Sequence, residues 1–357
     1  MGPMRNAVHE LIPDGRRENG DGVFRTVKLH GKKDMTELVV HVSGALPRSE
    51  ELFALRRRHA RGRATWEDVR GAAREESSGW VRFQKELGFD LIADPMLLWH
   101  DHFRPFAERW SGVEVNGLAR WFDNNVFYRV PVFKGRPGSR GGVLRDYLFP
   151  EQLVGCRVKL ILPEPFTMVA LSERRVEVDP GELAVEVARL LAFEVRQLVR
   201  ETGVSVEMVQ LSAPYVVSRR LGDREAEAVS ESVRALREGT GTRVQLHTFF
   251  YPLSNASDWI ADSGADVVGF DATVTSAEEV LSTGLRGEIA VGIVDSRSSR
   301  VERPDEVMGL LGRLVEAGFS RIHLTTTTDL DYVPPQVARA KLEALREIRA
   351  AYSGRRR

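Results

Sequence analysis

The reactive side chains of this sequence fall behind short apolar runs. His247 and Thr248 end the run Arg243–Phe249, Asp271 follows Ala265–Phe270, and Asp295, Ser296 and Arg297 follow Glu288–Val294. Thr326 to Asp329 follow Arg321–Thr325, Ser212 follows Val206–Leu211, Glu164 follows Arg157–Leu162, Asp94 follows Phe89–Ala93, and Ser43 with Gly44 follow Leu38–Val42. Imidazole with carboxylates is donor chemistry for zinc, manganese or iron, so His247, Asp271 and Asp295 are weighed as ligands. No fourth donor stands out. The reading is therefore no metal site, with His247 and Asp271 as weak candidates. Cys156 is the only cysteine, which excludes an internal disulfide and any site built on two protein thiolates. It precedes an apolar run and reads as a small packed hydrophobe. Arg297 suits a carboxylate, because its guanidinium fork offers paired hydrogen bonds.

Other reactive types have plainer readings. His100 and His102 flank Asp101 at a helix start, where capping accounts for the aspartate. His323 sits inside a strand and reads as packed. Arg56, Arg57, Arg58, Arg61 and Arg63 form a basic cluster that reads as solvated or as a seat for a poly-anionic tail. No phosphate-binding loop is present, and no G-x-G-x-x-G follows a strand.

The elements that must position these residues are short β-branched runs, each followed by a helical stretch. Strands apolar almost throughout imply a parallel sheet covered on both faces. From Arg157 onward there are six such units, with helices at 180–201, 223–237, around 256–261, 276–281, 304–317 and from Pro335 to about Ala351. Leu38–Val42 with helices at 50–61 and 65–87, and Phe89–Ala93 with a helical stretch near 103–110, supply two more. Eight units close a (β/α)8 barrel, and an open doubly wound sheet is the alternative. In a barrel, strand-end residues gather at the C-terminal mouth, where they form a ligand pocket or a polar rim. Residues 112–151 break the alternation: Val126–Phe133 reads as strand and 134–142 is rich in Gly, Pro and Arg. This is an insertion, a hairpin or flap over one mouth. The domain reading is a lead-in over 1–34, a barrel over 35–353 and a basic tail over 354–357.

Composition narrows the function. The 357 residues carry 51 basic and 51 acidic side chains, so no global field draws the protein to nucleic acid or an anionic membrane. No stretch has the length and apolarity of a membrane span, and residues 1–19 lack the apolar core of a secretory signal. The expected location is the cytoplasm.

Several of these runs resemble one family. Trp121–Phe133 (WFDNNVFYRVPVF) is similar to the W-F-D-T-N-Y-H-Y-x-V-P motif of cobalamin-independent methionine synthases. LPEPFT at 162–167, VQLSAP at 209–214, LHTFF at 246–250, GIVDSR at 292–297 and the stretch after Arg321 resemble further family motifs in the right order. The resemblance covers about 38–348 and implies a barrel. It also implies a zinc site of His, Cys, Glu and Cys, onto which His247 falls as the histidine. Phe249 stands at the first cysteine, Asp271 at the glutamate and Thr328 at or next to the second cysteine. Ser212 replaces an aspartate that contacts homocysteine, and the proton-donating histidine falls near Arg297. The pattern is most like the non-zinc half of the duplicated family enzyme, or a stand-alone relative of it. The resemblance thus implies an accessory barrel that pairs with a separate zinc-bearing methionine synthase barrel and helps bind methyltetrahydrofolate. The alternatives are an active methyltransferase with an altered mouth, and a non-catalytic small-molecule-binding barrel. Residues expected to line the mouth are Asp94, Trp121, Asp123, Asn124, His247, Asp271, Asp295, Arg297 and Thr326. Trp121 could stack on a pterin-like ring, though an aromatic packed within the insertion is the commoner outcome, and Asp123 and Asn124 could equally cap a turn.

Overall fold

The computed structural model describes residues 36–354. The expected lead-in over 1–34 and the last three residues of the basic tail lie outside the described residues. Among the described residues ten strands follow one another. They are β1 (Glu37–Val40), β2 (Ser111–Arg120), β3 (Phe127–Gly138), β4 (Arg157–Pro163) and β5 (Glu173–Arg174), then β6 (Ser205–Ser212), β7 (Arg243–His247), β8 (Val267–Asp271), β9 (Glu288–Val294) and β10 (Arg321–Thr326). Seven of them form one curled sheet in the order β1-β10-β9-β8-β7-β6-β4, every pair parallel. Parallel neighbours need long crossovers, and helices Pro180–Thr202, Asp223–Thr240, Pro304–Glu316 and Pro335–Gly354 lie among them. The first of these shows how sequence sets the ends. Asp179 accepts from Gly181 and Glu182 ahead of Pro180, and Gly203 stops the helix in the left-handed region at φ +70.

Phe89–Ala93, expected as a full strand, is not one. It makes a single parallel bridge, Ile92 with Val158. The cause is local: Asp90 Oδ2 takes the Val40 N–H at 2.7 Å, replacing a backbone acceptor in the ladder. The segment still touches both edges of the sheet. Asp90 N donates to Val40 O at 2.9 Å, Ile92 N to Arg157 O at 2.9 Å, and Lys159 N to Ile92 O at 3.0 Å.

Inside the curl, Val39, Leu91, Met208, Val267 and Ala290 form a buried apolar plug in the lower half of the strands. Above it the interior turns polar, with Lys159, His41, His323, Gln245, Gln210 and Ser43 all buried. The helical stretch near 103–110 shortens to Arg104–Ala107, and the helix around 256–261 to two tight turns.

β2 and β3 form a long antiparallel hairpin with β5 on its edge, so strand extends through the Gly- and Pro-rich run to Gly138. Its root is tied down by one side chain: Asp101 accepts from Phe103 N at 2.9 Å, Arg104 N at 2.8 Å and Arg129 N at 3.1 Å. Its tip turns at Trp121–Val126, closed by Trp121 N to Val126 O at 2.8 Å. Among the described residues no helix is long and apolar enough to cross a membrane.

Candidate functional site

A cleft opens where the hairpin meets the loops after β1 and β10. Arg48, Trp99, His102, Trp121, Asp329 and Tyr332 are among its walls. His102 stands at its centre, its ring stacked on Trp121 at 5.7 Å between centroids. His102 Nε2 lies 2.9 Å from Asp329 Oδ2, with both side chains about nine-tenths buried. Burial opposes charge on the imidazole, but the Asp329 carboxylate and its hydrogen bond outweigh it and hold His102 above the ordinary histidine range. Asp329 is the mirror case: burial pushes it up, yet His102 and the Ala45 N–H hold it below its usual value. Gly44 is required here, since a Cβ would lie 2.5 Å from the Asp329 backbone.

Three buried ring nitrogens in these walls find no acceptor in the protein, His102 Nδ1, Trp99 Nε1 and Trp121 Nε1. An unmet buried donor costs about 1–3 kcal/mol, so the cleft favours an occupant that accepts hydrogen bonds, water included. Arg48 is not free to serve. Its Nε donates to Leu97 O at 2.9 Å, it also reaches Trp99 O, and Nη1 lies 3.4 Å from Asp331. The free interior is about 50 Å³, room for a few waters or one small polar group.

Of the expected mouth residues, only Trp121 lines this cleft. Asp94 is buried elsewhere, accepting from Met96 N at 2.7 Å and Phe149 N at 2.8 Å, with burial pushing it up to about 6. Asp123 is exposed at the hairpin tip, and Asn124 holds the tip turn through Trp121 O at 3.3 Å. Thr326 is buried, its hydroxyl accepting from Ser43 N and donating to Thr328 O.

The strand-end group does come together around β7 to β9, as a filled arrangement. His247 Nε2 lies 2.9 Å from Thr327 O, and Nδ1 lies 3.1 Å from Gln245 Nε2. Gln245 can only donate from that nitrogen, so Nδ1 accepts and Nε2 carries the hydrogen. Burial and the nearby Lys159 push His247 down to about 3, so it is neutral with both nitrogens engaged. Asp271 accepts from Thr273 N, Thr273 Oγ1 and Phe250 N. Arg297 lies 4.0 Å from both Asp271 and Asp295 and 5.2 Å over the Phe250 ring. Phe249 is fully buried, its ring 6.0 Å from His247. Phe250 and Phe122, both non-glycine residues with positive φ, meet across the mouth at 5.8 Å. The hairpin tip therefore rests on the loop after β7. Among the described residues no three His, Cys, Asp or Glu side chains are grouped to hold a metal.

Sequence reasoning passed over His102, Trp99, Asp331 and Tyr332. His102 was discounted as a neighbour of a capping aspartate, and that aspartate does cap. The signal that could have found it was Asp329 at a strand end, but the two meet across 227 residues.

Comparison with known proteins supplies the remaining context. The family model described as cobalamin-independent synthase, catalytic domain, matches residues 39–349. A 5-methyltetrahydropteroyltriglutamate–homocysteine methyltransferase of Thermotoga petrophila is 24% identical over 86% of this chain, and the match spans only 43% of that protein. A methionine synthase of Sulfolobus acidocaldarius is 24% identical over 79% of this chain and 82% of its own length. The solved B12-independent methionine synthase from Shewanella sp. W3-18-1, in complex with selenomethionine, superposes with a TM-score of 0.72 at 16% identity. It covers 88% of this chain and 98% of the other, and the likeness is one of fold.

Proposed function

Because this chain belongs to the cobalamin-independent methionine synthase family, we propose that it is a zinc-independent member, an accessory barrel that assists a separate zinc-bearing methionine synthase barrel. The reading rests on the state of His247. A zinc ligand must offer a lone pair, and here one ring nitrogen donates to Thr327 O while the other accepts from Gln245. Phe249 fills the space beside it, Asp271 is spent on Thr273 and Phe250, and Thr328 supplies no thiolate. The family's metal does not fit this donor set. Zinc bound elsewhere in the family turns a thiol into a thiolate nucleophile, and no step of that kind is assigned to this chain. Two measurements test the reading: metal content of the purified protein, and co-purification from the native cell. Stoichiometric zinc that disappears in His247→Ala, or no association with any methionine synthase barrel, would refute it.

A second reading concerns the cleft. Its three unmatched donors and the His102–Trp121 stack favour a flat ligand carrying acceptors, and methyltetrahydrofolate is the candidate. About 50 Å³ does not admit such a ring, so binding requires the hairpin tip to move. Titration with methyltetrahydrofolate should change tryptophan emission in the native chain, and the change should be smaller in Trp121→Phe, where Trp99 remains in the cleft. Identical spectra with and without folate would sink this reading.

At the level of fold, we count the segment at Ile92 as the second of eight barrel strands, reduced to one bridge, with the hairpin as an insertion after it. The proposed location is the cytoplasm.

A further inference from the structure

The hairpin is anchored along its length up to Tyr128. β5 pairs with Val132 and Phe133, Tyr128 Oη donates to Leu171 O at 2.9 Å, and Asp101 takes the Arg129 N–H. Beyond Tyr128 the hydrogen bonds turn inward. Trp121 N donates to Val126 O at 2.8 Å, and Asn124 donates to Trp121 O from its backbone at 3.2 Å and from Nδ2 at 3.3 Å. These bonds close residues 121–126 into one unit without tying it to the barrel. What presses that unit onto the barrel is chiefly aromatic.

Two neighbouring rings do the pressing, in two directions. Trp121 lies over His102 at 5.7 Å and against Phe103 at 5.6 Å, and it walls the cleft. Phe122, 5.1 Å from Trp121, reaches instead to Phe250 at 5.8 Å and Tyr251 at 5.9 Å. Phe250 stands outside the cleft walls. It is built into the barrel mouth, with its N–H donating to Asp271 Oδ2 at 3.3 Å and Arg297 5.2 Å over its ring. A line of touching rings therefore joins the cleft to the mouth, and the hairpin tip is its middle.

The backbone at this junction is strained on both sides. Phe122 has φ +52 and Phe250 has φ +73, in the left-handed region that a bulky residue enters only at a cost. Such a conformation persists where its surroundings over-determine it. Glycine would hold either turn freely. A phenylalanine in each place is kept for its ring, and these two rings meet each other. Their contact holds both segments in the strained form, and that strain offsets part of what the contact contributes. The clasp is thus set to release.

We propose that residues 121–126 are a single lid over two compartments, with Trp121 closing the cleft and Phe122, clasped on Phe250, closing the barrel mouth. Neither compartment opens alone. A molecule that lifts Trp121 off His102 also draws Phe122 from Phe250 and loosens the loop beside Asp271 and Arg297. Displacement of Phe250 from the mouth side in turn unseats Trp121, since coupling between two sites is reciprocal. The lid belongs to the chain with no ligand bound, so it goes beyond the folate reading of the cleft and does not depend on it.

The indole hydrogens of Trp99 and Trp121 report on the lid, being buried in the cleft without a protein acceptor. Their exchange with solvent can be followed by ¹⁵N NMR on the folded full chain without ligand. Phe250→Gly removes a ring on the far side of the clasp and should speed exchange at both indoles by about tenfold or more. Trp80, whose indole donates to Pro47 O at 3.2 Å, is the internal control and should not change. Phe122→Gly, at a half-buried position on the tip, keeps the test open should Phe250→Gly fail to fold. It should speed the same two indoles and also the Phe250 and Thr273 amides, which Asp271 holds. Cleft indoles that Phe250→Gly leaves unchanged, or speeds no more than Trp80, overturn the proposal. So do Phe250 and Thr273 amides that Phe122→Gly does not move. A methyltetrahydrofolate titration without effect refutes the folate reading and leaves the lid standing.

Discussion

The His102–Asp329 pair carries opposite pH dependences in its two halves. His102 is held above its ordinary value, so its contribution is complete below about 6.5, the unfolded value, and is lost as pH rises through the raised one. Asp329 is held below its ordinary value, so its contribution is complete above about 3.9 and is lost as pH falls through the lowered one. Unfolding free energy measured in urea at several pH values should therefore fall on the alkaline side. His102→Gln should remove that alkaline limb and leave the acid one shallower. Asp329→Asn strands a buried charge and should cost about 3 kcal/mol. At this scale the sequence was only half legible. Types at strand ends were readable, so Asp271, His247 and Asp329 were in view. Whether a lone pair was free was not, because Gln245, Thr327 and Thr273 use up those atoms through contacts that no spacing rule encodes.

Elements were read better than their contents. Six of the seven strands from β4 onward, all but the two-residue β5, fell where apolar runs placed them, because parallel strands buried on both faces leave an unbroken hydrophobic signature. The segment at 89–93 misled by the same rule: it is apolar and buried, but the Asp90 carboxylate displaces one ladder bond. The hairpin was visible only in part, since its Gly, Pro and Arg content resembles loop. Its stability hangs on Asp101, which binds the chain at both Phe103–Arg104 and Arg129. Asp101→Ala should raise hydrogen exchange across residues 111–138 while the helix at 180–202 stays protected. A second element-level prediction concerns β8. A Cβ on Gly269 would fall 2.1 Å from His247 Nδ1, against a ring held at both nitrogens. Gly269→Ala should lower stability by about 1–3 kcal/mol, seen as a reduced melting temperature.

At the scale of the whole molecule, the likeness to relatives speaks for the fold and not for the chemistry at the mouth. The superposition on the Shewanella protein extends over 88% of this chain, so the scaffold is shared nearly end to end. On the function proposed above, the residues that fill its mouth are what set this chain apart, and fold alone does not decide that. The apolar plug of Val39, Leu91, Met208, Val267 and Ala290 has a consequence for traffic. A barrel filled in this way is no tunnel; every visiting molecule must depart by the doorway it came through. Two visitors sharing that doorway obey stacking order, with the deeper arriving first and departing last. A saturating outer ligand should accordingly slow the escape of an inner one, whatever their separate affinities.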